Sequence, residues 1–126
     1  MYQSRADLLS LMEPLFVSLK KSIDLNVFHF HLSPATSFLR LQKPQKFGDD
    51  LSGFRKTVVQ VNKTLEPAVG LEAGNAGLSV RAVVAIKYSG GKHVGSVEFG
   101  APLNDNLLRE IKAQLGFDLS LIVPDG

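Results

Sequence analysis

Charged and titratable residues crowd one short part of this sequence. In FLRLQKPQKFGDDLSGFR, residues 38–55, Arg40, Asp49, Asp50 and Arg55 surround a loop punctuated by Pro44 and Gly48. Three chemistries use such groups: a catalytic acid/base pair, a grip on a bound anion, or ion pairs that pin the loop. An arginine fork suits a planar carboxylate, which it can hold through two parallel hydrogen bonds. Asp49 and Asp50 are adjacent and expected at a helix start. One of them then reads as an N-cap, accepting from free first-turn amides at the positive end of the helix dipole.

Further along, charges stand inside apolar runs: Glu72 between Leu71 and Ala73, Arg81 between Val80 and Ala82, Glu98 between Val97 and Phe99. Each faces solvent or is buried with a partner, because an unpaired buried charge is costly. Together with Arg40 and Arg55 they suggest a polar cavity.

Other chemistries have weaker support. His29 and His31 are two apart, so on a strand they share a face, and with His93 or Glu72 they could hold zinc. No HxxxH or HExxH spacing favours this, and the alternative is two histidines on the polar side of a half-buried strand. Ser33, Ser37 and Ser96 lack a GxSxG elbow. Glu72 and Glu98 could form an acid/base pair, but nothing in the sequence fixes their separation. Gly70, Gly74 and Gly77 fall between strands, not between a strand and a helix, which argues against a phosphate loop.

The elements that must position these residues follow from periodicity. Leu8, Met12, Leu15, Phe16, Leu19 and Ile23 form one apolar stripe of a helix over residues 4–23, kinked at Pro14. VFHFHL, 27–32, alternates as a strand does, and TSFLRL, 36–41, is a second extended segment. Leu51, Phe54, Val58 and Val61 predict a helix from Asp49 or Asp50 to about Asn62. From Pro67 the pattern is β: AVGLEAG, a turn at Gly74-Asn75, LSVRAVVAIKY at 78–88, a Ser-Gly-Gly turn at 89–91, and KHVGSVEFG at 92–100. A helix over 104–115, closed by Gly116, and a strand over 117–123 complete the series. Sequential hairpin strands with helices before and between them give an α+β fold on an antiparallel sheet.

The 126 residues suit one domain, with 44% hydrophobic and 21% charged residues. There is no cysteine, which excludes disulfides, thiolate metal sites and cysteine nucleophiles. The net charge is only +2 and basic residues are scattered, which argues against nucleic acid as a partner. No apolar run approaches the ~18 residues of a membrane span, and no signal peptide is visible. The abrupt helical start MYQSRADLL fits a segment cut from a longer chain.

FHFHLSPATSFLRLQKPQKFGDDLSGFRKTVVQVN, GLEAGNAGLSVRAVVAI and GKHVGSVEFG resemble, as an ordered set over residues 27–100, the Cache sensor domain. The type is the double Cache of bacterial transmembrane receptors, with a methyl-accepting chemotaxis protein as the expected parent and a sensor histidine kinase or other membrane signalling enzyme as the alternative. The resemblance implies a PAS-like antiparallel sheet of about five strands, a long N-terminal helix over 1–25 and a PAS-like module over 26–126, forming a single sensor domain. It also implies a place on the extracytoplasmic, periplasmic face of the inner membrane in a membrane-anchored parent chain, a small-molecule ligand, which the arginines would make anionic or zwitterionic, and pairing into a homodimer through the first helix. On this reading the protein is not an enzyme and needs no cofactor. The expected pocket residues are His31, Phe38, Arg40, Arg55, Glu72 and Arg81, with Ala85 as further lining; the arginines take an anionic group and Glu72 steadies an arginine or accepts from an amine. A rival reading is a small hydrolase or metal enzyme using His29 or His31 with Glu72 or Glu98.

Overall fold

A computed structural model of the chain describes residues 2–74, 77–88 and 90–115. The elements are α1 (Tyr2–Ile23), β1 (Val27–Leu32), β2 (Thr36–Arg40), α2 (Lys56–Thr64), β3 (Ala68–Gly74), β4 (Gly77–Lys87), β5 (His93–Pro102) and α3 (Asp105–Leu115). The expected strand over 117–123 and the residues of the Gly74-Asn75 turn beyond Gly74 lie outside the described residues.

The five strands form one antiparallel sheet in the order β2-β1-β5-β4-β3. With the three helices this is the expected α+β, PAS-like architecture, including the long first helix with Pro14 inside it. Gly90 and Gly91 both adopt positive φ in the β4–β5 turn, a conformation that glycine takes without steric cost.

Alternation along the central strands sends side chains to two faces. Phe28, Leu39, Val97 and Phe99 face α1 and α3, and pack with Phe16, Leu19 and Leu107 into the main core. Phe28 is its hub, with ring centroids 5.3 Å from Phe30, 5.0 Å from Phe99 and 6.1 Å from Phe16. Burying a side chain of this size is worth about 1.5–3 kcal/mol. Of the expected α1 stripe, Leu15 remains exposed. Asn104 caps α3: its side-chain oxygen accepts from the Leu107 amide at 3.1 Å.

The opposite face carries His29, His31, Ser96 and Glu98. α2 and the segment before it cover this face, with Ala35, Leu51 and Val58 as a second, smaller core. The expectation of a half-exposed polar face is therefore corrected: His29 and His31 are 3% and 2% exposed.

The start of α2 also differs from expectation. The helix begins at Lys56, and neither Asp49 nor Asp50 caps it. The backbone of residues 48–51 is committed elsewhere. Gly48 N donates to Ser37 O, Ser37 N to Asp49 O, and Leu51 N to Ala35 O, so this segment satisfies the outer edge of β2. Asp50 instead accepts from Ser52 N at 3.0 Å. Phe54, expected in the buried stripe, is 68% exposed because it precedes the helix in a turn closed by Leu51 O. Leu65, in the left-handed region, ends α2 by donating to Val61 O. No described helix is long and apolar enough to cross a membrane.

Candidate functional site

The site is built around Glu98. The pairing of β1 with β5 sets His29 opposite Glu98 and His31 opposite Ser96. β4 adds Val83 opposite Glu98 and Arg81 opposite Gly100. A Cβ on Gly100 would stand 2.9 Å from Arg81 Cδ, so the missing side chain is what lets the Arg81 stem cross β5 toward Glu98. Arg55, at the N-terminal boundary of α2, makes no side-chain cap and reaches the same carboxylate.

The result is a fully buried carboxylate gripped by two guanidinium groups. Arg55 Nη2 donates to Glu98 Oε2 at 2.6 Å and Arg81 Nη1 to the same oxygen at 3.2 Å. Arg81 Nε lies 3.5 Å from the carboxylate of Glu72, which is half exposed at the rim. Burial by itself would push the Glu98 carboxyl up, but the facing His31 ring and the Arg55 guanidinium outweigh it and hold the group at about 2.

Among the described residues Glu98 Oε1 has no hydrogen-bond partner, nor does the buried His31 Nε2 that faces it across 3.6 Å. Hydrogen-bond directions settle the ring. Asn62 Nδ2 donates to Ser96 Oγ at 3.1 Å, and the buried Ser96 hydroxyl then needs an acceptor, which is His31 Nδ1 at 2.8 Å. The ring proton therefore sits on Nε2 and points toward Glu98. Asn62 Oδ1 and Gly95 O both accept from His93 Nε2, at 2.9 and 3.0 Å. A polar chain thus runs from His93 through Asn62 and Ser96 to His31. His29 joins from the side: its ring lies 4.2 Å from that of His31, and its Nε2 meets Ser37 Oγ at 2.8 Å. Burial, then the neighbouring His31 and Arg40, keep His29 neutral down to about pH 3.

In front of Glu98 opens a cavity of about 250 Å³ between α2 and strands β3 and β4. It is lined by Arg55, Thr57, Gln60, Ala68, Val69, Gly70, Leu71, Glu72, Arg81, Val83 and Glu98. Of the residues expected in a pocket, Arg55, Glu72 and Arg81 meet here, and His31 stands directly behind Glu98. Arg40 does not line this cavity. It holds Asp49 through two 2.8 Å bonds and also donates to Lys46 O and Ser37 Oγ, which fastens the 42–48 loop. This pairing holds the Asp49 carboxyl at about 2. Phe38 lines a separate cleft, together with Arg5 and Phe47.

Glu98, Ser96 and Asn62 carry more of the site than their sequence context indicated. Glu98 and Ser96 are two apart on one strand, which marks a shared face. Their relation to His29 and His31 becomes visible only once β1 and β5 are known to be neighbours.

Ser96, His31 and Glu98 lie in line, as in a hydrolase triad, but Ser96 is fully buried and bonds Nδ1 of the ring while Nε2 faces the acid, the reverse of the working arrangement. His29, His31 and Glu98 place ligand atoms within 4.8 Å of one another, a spacing that could hold a metal ion. Arg55 and Arg81 already neutralise that carboxylate, so a dication there would enter a positively charged site.

Residues 2–126 match a family profile, dCache_3, described as the double sensory domain of two-component sensor kinases. The chain belongs to this Cache family. No curated protein matches this Cache domain. Among solved structures it is similar to a chain of the Vibrio cholerae VqmA dimer, a LuxR-type receptor reported to undergo a large conformational shift in the absence of its target DNA. The TM-score is 0.52 at 15% identity, over 76% of the Cache chain and 55% of the VqmA chain. At that identity the likeness concerns the fold alone, and the Cache chain spans about half the length of that structure.

Proposed function

We propose that this Cache domain is the extracytoplasmic, small-molecule-binding input region of a bacterial membrane receptor, in which binding is not followed by chemistry. The observation that carries this is the cavity over Glu98, where two arginines converge on one buried carboxylate oxygen. Only part of the donor capacity of Arg55 and Arg81 is used by Glu98, so both can also take an anionic group from the cavity, and Glu72 at the rim can accept from an amine. The ligand class is therefore a small anion or zwitterion. His31 supports Glu98 from behind, while Arg40 and Phe38 shape the neighbouring loop and cleft.

The family description favours a sensor kinase as the parent protein; a methyl-accepting chemotaxis receptor is the alternative, and the output domain of the full-length chain distinguishes them. Residues 1–126 act as one sensor unit, anchored in the inner membrane through the rest of the parent chain. Leu11 and Leu15, one helical turn apart, are 69% and 47% exposed on α1 and offer a small apolar strip for pairing with a second copy. A ligand that binds one arrangement of α1 better than another shifts the population toward it.

The test is a thermal-shift screen against small carboxylates, amino acids, amines and purines. A concentration-dependent rise with one class, lost in Arg81→Gln and in Arg55→Gln, is expected. Unchanged ligand affinity in both variants, with the fold intact, overturns the site assignment.

A further inference from the structure

A second cleft, of about 270 Å³, lies at the β2 edge of the sheet, away from the cavity over Glu98. Leu32, Thr36, Ser37 and Phe38 supply its sheet wall, Phe47 and Gly48 come from the 42–48 loop, and Arg5 comes from the first turns of α1. Three separate parts of the chain thus meet at one small space.

The chemistry of this wall is uneven. It is mostly apolar, with two phenyl rings, and Arg5 is its one charged member. The Arg5 guanidinium lies 3.6 Å from the centroid of Phe47, and its Nη1 donates to Pro44 O at 2.8 Å. Both contacts hold the side chain in place. Its Nε is covered from solvent and has no acceptor among the described residues. A buried donor without a partner is uncommon in a folded protein and invites an explanation. Lys43 and Lys46, exposed on the same loop, add positive potential, and the nearby Asp49 is already neutralised by Arg40.

We infer that this cleft is a second binding site, for a compact monocarboxylate with an apolar body, its carboxylate taken by Arg5 and its body seated between Phe38 and Phe47. The volume is below the ~300–1,000 Å³ of drug-sized ligand pockets, which limits the occupant to a small acid. An occupant would tie α1 to the loop and to β2 at once. Arg40 links that loop to Ser37, and Ser37 to His29, so the second site borders the polar layer of the first without sharing a ligand-facing residue with it.

Isothermal titration of the purified chain with benzoate, hexanoate and the uncharged methyl benzoate tests this. Saturable binding of benzoate or hexanoate at millimolar concentration is expected. Arg5→Gln and Phe47→Ala should each weaken it roughly tenfold, the scale of one charge-assisted or ring contact, and Arg81→Gln should leave it unchanged. Phe47 is on the surface, so Phe47→Ala carries the comparison if Arg5→Gln does not fold. No saturable binding of either acid, equal affinity for benzoate and its methyl ester, or loss in Arg81→Gln overturns the inference. The first two outcomes leave ligand binding over Glu98 untouched, and loss in Arg81→Gln would place the acid in that cavity instead.

Discussion

Glu98→Gln keeps the shape of the side chain and removes its charge. In the native protein that charge is fully buried and answers two guanidinium groups, at 2.6 and 3.2 Å. Removing one partner of a buried ion pair costs about 3–5 kcal/mol. Arg55 and Arg81 are 23% and 28% exposed and can turn toward water, so the lower end of that range applies. Linkage gives a similar figure: the drop of the Glu98 carboxyl from 4.5 to about 2, at ~1.4 kcal/mol per pH unit, amounts to roughly 3 kcal/mol. For a chain of this length, about 3 kcal/mol lowers Tm by roughly 10 °C. The pH dependence follows from the sign. A carboxyl depressed in the folded state contributes its full stability above about 4.5 and loses it as pH falls toward about 2. Thermal melts of both proteins from pH 7 to pH 3 should show the variant well below the native protein at pH 7, with the gap narrowing below pH 4.5. A variant within ~2 °C of the native protein at pH 7, or a gap that does not change with pH, would refute the claim that Glu98 is the anionic centre of this layer.

Three other outcomes are expected. Gly95→Ala would set a Cβ 1.9 Å from the His31 carbonyl oxygen in the facing strand, a backbone atom that cannot move aside; denaturant titration should show a loss above about 3 kcal/mol, whereas Gly53→Ala, with no atom within 4 Å of the new methyl, should be neutral or slightly stabilising. His29 titrates at about 3 when folded against an ordinary 6.5, so its contribution is complete above 6.5 and declines as pH falls toward 3; His29→Gln should flatten the stability profile across that window, and an unchanged profile counts against a buried neutral ring. Asp49→Asn breaks a partly exposed pair, costs at most about 1 kcal/mol, and should speed proteolytic cleavage of the 42–48 loop measurably at low salt.

Local pattern revealed the elements better than their neighbours. The alternation of VFHFHL, the glycines after Tyr88 and the stripe of α3 each reflect short-range geometry, and the structure has the corresponding elements. The burial of His29 and His31 could not be read the same way, since a strand with a polar solvent face and one with a polar buried face alternate alike. What separates them is α2, laid over that face by a long connection. Asp49 shows how tertiary demand overrides a local rule: the capping signal is sound, but the backbone around it completes the β2 edge and its carboxylate is taken by Arg40. The arginines illustrate the limit of spacing. Arg40 finds an acid nine positions away, whereas Arg55 finds one 43 positions away, and only the first separation is visible in a short window of sequence.

The strand order also sets when the sensory layer can come into being. β1 and β5 are adjacent at the centre of the sheet, yet they come from opposite ends of the described chain; His31 and Ser96 are 65 positions apart. The β3–β4–β5 meander closes only short loops and can assemble on its own timescale, whereas β1 must bridge a long segment before any contact rewards it. Until that step, Glu98 has no histidine beside it and the polar layer behind the cavity is missing. A growing chain released before β5 is complete therefore has helices and hairpins but no site, and mutations that slow the docking of β1 would appear first as late acquisition of ligand binding in refolding experiments, after most of the secondary structure has returned.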